Sequence, residues 1–180
     1  RKARKGLTAI ELEKVRMACK TIREKALVEF LYSTGARVTE ACTIKKEDVN
    51  FEKGEVVLFG KGSKHRISYL SAKATLYLIE YLKSRTDQSE YLFVSERKPH
   101  NGLKKEAVER VIRNIGKRSG IERDLYPHLF RHTVATDMLR KNTPITDVQK
   151  MLGHENVNTT MVYAKTCDED VKTSHRKSVA

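Results

Sequence analysis

Residues 127–154 read PHLFRHTVATDMLRKNTPITDVQKMLGH, and this stretch predicts two helices joined by a short turn. Proline suits the first turn of a helix and forces the residue before it into extended geometry. Pro127 and Pro144 therefore mark two helix starts, and we place the helices at about 128–141 and 145–152. The histidines and arginines of this stretch make it the first place to look for chemistry.

Side chains of this stretch can reach a common ligand. His128 and Arg131 lie at i and i+3 on one helix face, so they can converge on a single anion. His154 follows Gly153, the predicted helix stop, in a loop where an imidazole can meet a ligand. The helix C-terminus there favours its protonated form. His132 points elsewhere and is interpreted as a packed residue. Taken singly, a capping histidine and a surface arginine would explain the same pattern.

The N-terminal part predicts further helices. A capping-box signature and an apolar pattern predict a helix over about 9–20, and apolar spacing predicts a second helix that ends near Gly35. Arg37 sits just past that stop. A short helix over 38–43 then carries Glu40.

The middle of the chain predicts a β-hairpin. Residues 56–59 and 67–70 favour strands, and the turn between them, GKGSK, carries Lys61. Such a turn can also be merely solvated. We further expect a short third strand at 91–94 and helices at about 71–83 and 104–118. The fold class is therefore α+β, mainly helical, with a small antiparallel sheet of about three strands.

Charge and length indicate the kind of partner. A chain of 180 residues suits one compact domain. Lysine and arginine number 36 against 23 acidic residues, a net charge of +13 that favours a polyanionic partner, with nucleic acid as the obvious candidate. A basic surface with no ligand would have the same composition.

The cysteines and the hydropathy pattern narrow the class further. The 3 cysteines lie far apart without a C-x-x-C pairing, so they support neither a disulfide framework nor a zinc site. No apolar run approaches the roughly 18 residues of a membrane span. We expect a cytoplasmic protein with free thiols, no metal and no cofactor.

Several separated motifs follow one another along the chain: Gly35-Ala36-Arg37-Val38-Thr39-Glu40, the hairpin lysine Lys61, His128-Leu129-Phe130-Arg131-His132, Leu152-Gly153-His154 and Tyr163. Together they resemble the signature of the tyrosine recombinases, the family of the phage and mobile-element integrases and the Xer-type enzymes. The order and the spacing from His154 to Tyr163 match the family. A match spread over nearly the whole chain is more specific than any single motif.

This resemblance implies a metal-free transesterification. Tyr163 would attack a DNA phosphodiester and leave a 3′-phosphotyrosyl bond, while Lys61 acts as general acid for the leaving 5′-oxygen. The implied catalytic set is Arg37, Lys61, His128, Arg131, His154 and the nucleophile Tyr163, with Glu40 supporting. The cations would stabilise charge on the nonbridging oxygens. His128 is the favoured acceptor of the phenol proton, which an ordinary pKa of about 10 would otherwise retain.

The resemblance also implies an assembly and a domain arrangement. The partner would be double-stranded DNA, bound by a homo-tetramer on paired recombination sites. Residues 1–6 would be a linker from an N-terminal DNA-binding domain, and residues 7–180 the catalytic domain. The tail from about residue 167 would be exchanged between subunits or fray.

Two other functions fit the same residues. A type IB topoisomerase shares the tyrosine, arginine, lysine and histidine chemistry but relaxes supercoils through one strand break. A noncatalytic DNA-binding module would use the same residues only structurally.

Overall fold

A computed structural model describes residues 5–60, 64–154, 160–161, 164, 171–173 and 175–179 of the chain. The helices are α1 (Ala9–Ala18), α2 (Ile22–Thr34), α3 (Val38–Thr43), α4 (Ala72–Ser84), α5 (Lys105–Ser119), α6 (Pro127–Arg140) and α7 (Ile145–Leu152). The strands β1 (Val49–Asn50), β2 (Glu55–Phe59) and β3 (His65–Tyr69) form one antiparallel sheet in that order. The expected α+β class is confirmed.

The start of α1 follows the predicted capping box. The Thr8 hydroxyl accepts a hydrogen bond from the Glu11 backbone N–H at 3.1 Å, and the Glu11 carboxylate accepts one from the Thr8 N–H at 2.9 Å. The helix ends at Ala18, earlier than predicted. It stops there because Thr21 already caps α2, accepting a bond from the Glu24 N–H at 3.1 Å.

Gly35 ends α2 in the left-handed conformation, with φ of 65°. A β-carbon at this position would lie 2.7 Å from the Leu152 Cδ2 atom. The missing side chain therefore lets the end of α2 pack directly against the end of α7. Two helix C-termini meet at this point.

The predicted hairpin is confirmed, but the predicted third strand at 91–94 is wrong. The third strand is β1, which pairs with β2 ahead of the hairpin. The segment 91–94 makes only isolated bridges, because its carbonyls bond elsewhere: Arg85 Nη1 donates to the carbonyls of Tyr91 and Leu92 at 2.8 and 2.9 Å. The buried side chain of Phe93 packs edge-on against Phe30. Core packing, rather than a strand ladder, fixes this segment.

Helix α6 runs through the middle of the domain and contacts α2, α5 and α7. A large apolar core lies on the side of α2 and α5, and a smaller cluster lies between α6 and α7. Because α6 packs against apolar side chains on two sides, close packing fixes the orientations of its buried side chains. None of the helices among the described residues has the length and apolarity needed to cross a membrane.

Candidate active site

Arg131 lies on α6 at the centre of the candidate site and is only 1% exposed. Its Nη1 donates to the Gly35 carbonyl at 2.7 Å, and its Nη2 donates to the Leu152 carbonyl at 2.6 Å. These carbonyls stand at the ends of α2 and α7, where helix carbonyls lack partners within their own helix. Arg131 thereby brings the segments that precede Arg37 and His154 to two sides of one guanidinium.

Arg37 begins α3 and carries its guanidinium to the surface. Its backbone N–H donates to the Glu40 carboxylate at 2.7 Å, which caps the helix from within. The Arg37 side chain is 44% exposed, and its Nη1 lies 3.8 Å from the same Glu40 oxygen. A guanidinium in this position can meet a ligand without leaving the protein surface.

Glu40 is buried and is paired mainly with Arg66, on β3. Arg66 Nη2 and Nε donate to the two Glu40 carboxylate oxygens at 2.7 and 3.2 Å. The third nitrogen, Nη1, donates to the Met151 carbonyl in the last turn of α7. The predicted supporting position of Glu40 thus joins α3 to both the hairpin and α7.

His154 follows the glycine that ends α7. Its Nδ1 lies 2.7 Å from the Thr160 hydroxyl, and its backbone N–H donates to the Gln149 carbonyl at 3.2 Å. Burial, together with the charges of Arg131, Arg37, Arg66 and His128, lowers the pKa of His154 to about 4. The imidazole is therefore neutral at neutral pH.

The expectation that the helix end favours protonated His154 is wrong. A helix C-terminus contributes a partial negative charge of about half a unit. Desolvation and the full positive charges of neighbouring arginines outweigh it.

His128 stands one turn before Arg131 on α6, exposed at the surface. Partial desolvation and the charges of Arg131 and Arg37 lower its pKa below the ordinary value. The ring lies along a groove of about 580 Å³ whose rim includes Arg37, Lys105 and Arg113. The charges of Arg37 and Arg131 act on both His128 and His154, so these four predicted residues lie near one another.

The four residues lie in a stretch that matches the phage integrase family over residues 5–170. The chain belongs to this family. Tyrosine recombinase XerA of Pyrococcus horikoshii is 38% identical over 177 residues, which cover 97% of this chain and 61% of that protein. Tyrosine recombinase XerD of Listeria innocua is 36% identical over 147 residues, covering 79% of this chain and 50% of that protein. The chain thus spans about half to three-fifths of the length of these relatives.

Solved structures of recombinases share the fold. A crystal structure of XerA recombinase superimposes with a TM-score of 0.87 at 33% identity, covering 98% of this chain and 65% of that one. XerH site-specific recombinase, bound to its palindromic difH substrate in a post-cleavage complex, superimposes with a TM-score of 0.78 at 23% identity, covering 95% of this chain and 52% of that one. The XerH comparison establishes the common fold alone.

Two residues of the set expected for a phage integrase family member, Lys61 and Tyr163, lie outside the described residues. The same holds for part of the tail from about residue 167. The flanking positions are described: the Gly60 N–H donates to the Lys64 carbonyl at 2.8 Å, closing the hairpin below the turn. Thr160 is fully buried beside His154.

His132 is half-buried next to this site, as predicted for a packed histidine. Burial and the charges of His128, Arg123 and Arg140 lower its pKa to about 4. It therefore does not add a positive charge to the region at neutral pH.

Arg66 is the residue of this site that the sequence analysis missed. A signal was present, because alternation along β3 puts Arg66 on the same inward side as buried Ser68. An arginine on the inward side of a strand requires a carboxylate or carbonyl partner. The search for such a partner would have led to Glu40.

Proposed function

We propose that this chain is the catalytic part of a site-specific DNA recombinase, which cleaves and rejoins DNA strands through a covalent 3′-phosphotyrosyl intermediate. Membership of the phage integrase family supports this proposal. The chain spans only part of its relatives, so the activity is argued from its own residues.

The observation that carries the proposal is the bridge made by Arg131. Its hydrogen bonds to the Gly35 and Leu152 carbonyls fix the chain two residues before Arg37 and two residues before His154. With His128 one turn earlier on α6, four groups that can donate to a phosphate lie together. A cation about 4 Å from a negatively charged phosphate oxygen is attracted to it by about 4 kcal/mol at an intermediate effective dielectric.

The reaction follows from the atoms available. The Tyr163 phenol oxygen forms a bond to phosphorus, and the bond from phosphorus to the 5′-oxygen breaks. Lys61 gives a proton to that oxygen, which leaves as a 5′-hydroxyl. Rejoining is the reverse attack by a 5′-hydroxyl, so the energy of the phosphodiester is conserved in the intermediate and no cofactor is consumed.

The histidines move protons in this scheme. His128 accepts the phenol proton from Tyr163, for which its lowered pKa keeps a nitrogen unprotonated at neutral pH. His154 donates to a nonbridging oxygen through Nε2, in the tautomer whose Nδ1 accepts a hydrogen bond from the Thr160 hydroxyl. Arg37 and Arg131 stabilise the charge that develops on phosphate.

The surrounding assembly belongs to the proposal as well. The partner is double-stranded DNA in the cytoplasm, bound by a homo-tetramer on paired sites. Residues 1–6 link the catalytic domain, residues 7–180, to an N-terminal DNA-binding domain, and the tail from about residue 167 contacts a neighbouring subunit. The net charge of +13 favours the DNA partner.

The test is trapping of the covalent intermediate. DNA duplexes are selected from a random library by binding to the chain and are then nicked so that the short 5′-hydroxyl fragment diffuses away after cleavage. We expect a protein–DNA adduct on a denaturing gel, and Tyr163→Phe should abolish the adduct while retaining DNA binding. An adduct in the Phe variant would identify another nucleophile, and no adduct with the unmodified chain would favour a noncatalytic DNA-binding module.

A second assay separates recombination from topoisomerase activity. Plasmids with one or two copies of the selected sequence are incubated with the full-length protein. We expect strand exchange only when two copies are present. Relaxation of one-copy plasmids without exchange would overturn the proposal in favour of a type IB topoisomerase.

A further inference from the structure

We propose that Arg66 is a positioning residue that keeps the Glu40 carboxylate occupied and so leaves the Arg37 guanidinium available to the scissile phosphate. The phosphate in this statement rests on the proposed function. The interaction among the three side chains does not, and it is tested without DNA.

Two arginines compete for one carboxylate oxygen. Arg66 Nη2 lies 2.7 Å from Glu40 Oε1, and Arg37 Nη1 lies 3.8 Å from the same atom. The Glu40 side chain is 2% exposed and the Arg66 side chain 11%, whereas the Arg37 side chain is 44% exposed. The less exposed arginine, Arg66, therefore forms the close pair with Glu40, and the more exposed Arg37 lies beside that pair.

Arg66 is fixed in this pairing by α7. Its Nη1 donates to the Met151 carbonyl, so all three guanidinium nitrogens are engaged. A β-carbon at Gly153 would lie 2.4 Å from Arg66 Cδ and 2.8 Å from Nε, so the missing side chain makes room for the arginine. Arg66 has little freedom to turn away from Glu40.

Removal of Arg66 would leave the buried Glu40 carboxylate without its close cationic partner, which is energetically costly. Arg37 is adjacent, and its flexible stem needs to move its Nη1 by only about an ångström to reach hydrogen-bond distance. Its guanidinium would then pair with Glu40 and turn inward. The loss of Arg66 would thus appear as a loss of Arg37 function, although Arg66 does not itself contact the phosphate.

Chemical modification of Arg37 tests this directly in the free protein. Phenylglyoxal reacts with accessible, unpaired guanidinium groups, and peptide mass spectrometry gives the rate at each arginine. We expect Arg66→Met to slow modification of Arg37 roughly fivefold or more, the factor given by an ion pair at the upper end of the surface range. Exposed Arg97 serves as the internal control and should not change.

The decisive variant is the double substitution. Glu40→Gln in the Arg66→Met background removes the carboxylate that would capture Arg37. Phenylglyoxal should therefore modify Arg37 at the same rate as in the protein without substitutions. Arg66→Lys, which keeps a charge without the forked donors, should lie between the two. If Arg66→Met does not fold, the Lys variant decides: slower modification supports the proposal, and an unchanged rate overturns it.

Cleavage then tests the consequence for DNA. Arg66→Met should slow adduct formation on an ordinary phosphate on the order of 10- to 100-fold, less than the loss of a direct donor in most enzymes. Arg66→Met should have little effect when the scissile group is an uncharged methylphosphonate, because that group lacks the negative charge that the Arg37 guanidinium would stabilise. Equal losses on both substrates, or an unchanged Arg37 modification rate, would refute the role of Arg66. No adduct from the unmodified chain would instead refute the proposed function.

Discussion

Replacement of Arg131 should destabilise the fold as well as the chemistry. Arg131 is 1% exposed and donates two hydrogen bonds to carbonyls at 2.7 and 2.6 Å. A hydrogen bond from a charged group contributes about 1.5–3 kcal/mol. Lysine can replace one of the two bonds but lacks the fork, so Arg131→Lys should lower the free energy of unfolding by about 1.5–3 kcal/mol.

Arg131→Met removes both bonds and leaves the Gly35 and Leu152 carbonyls buried without this donor. We therefore expect a loss of about 3–6 kcal/mol, a large part of the 5–15 kcal/mol that stabilises a typical domain. Urea unfolding followed by circular dichroism gives both values from the midpoint and slope. The matched control is Arg110→Lys on the exposed face of α5, which should change stability by less than about 0.5 kcal/mol.

If Arg131→Lys unfolds at the same urea concentration as the Arg110→Lys control, the structural role of Arg131 is refuted. Arg131 would then contribute to phosphate binding and not to the stability of the fold, and only apolar contacts would hold the ends of α2 and α7 together. A loss of stability with full retention of adduct formation would contradict the catalytic role instead. The two measurements therefore separate the structural and catalytic contributions of one side chain.

Three further predictions concern pH, a buried hydrogen bond and salt. The folded-state pKa values of His132 and His154 are about 4, below the unfolded value near 6.5, so the stability they contribute is present above pH 6.5 and is lost as pH falls towards 4. Urea unfolding should show a loss of about 1–3 kcal/mol between pH 7 and 5, a range that is discounted for the partial exposure of both rings. A stability that does not change with pH over this range would contradict the prediction. Tyr32→Phe removes a 2.6 Å hydrogen bond to Asp137 that joins α2 to α6, and thermal unfolding should show a loss of about 1–2 kcal/mol; an unchanged midpoint would refute this. The affinity for DNA should fall steeply with salt because phosphate contacts release counterions, and a flat fluorescence-anisotropy series from 50 to about 200 mM would contradict a phosphate-dominated interface.

Local signals in the sequence were sufficient for the helices and the hairpin. Three kinds of signal act within a few residues of the chain: the capping box at Thr8, the stop at Gly35 and the prolines at the starts of α6 and α7. Signals of this short range can be recognised in the sequence without knowledge of the fold. The prediction of a third strand at 91–94 was wrong because the contacts that fix this segment are distant in sequence. Residues 91–94 have strand composition, but their carbonyls bond to an arginine that tertiary folding brings there.

The site was predictable as a set of residue types but not as an arrangement. The resemblance to tyrosine recombinases pointed to Arg37, His128, Arg131 and His154, which lie near one another. Their catalytic roles stay predictions, as do those of Lys61 and Tyr163. Arg66 was missed because its importance comes from contacts with segments far away in sequence. The protonation state of His154 was wrong because one helix end was considered without the arginines that fold onto it.

Arg66 and Arg131 donate hydrogen bonds to different kinds of acceptor. Arg66 is paired with the Glu40 carboxylate, so the pair is close to neutral. The hydrogen bonds that fix Arg131 to Gly35 and Leu152 go to carbonyls, which orient a guanidinium without cancelling its unit charge. These two hydrogen bonds fix the Arg131 guanidinium before DNA arrives, so little reorganisation is needed when charge develops on the phosphate.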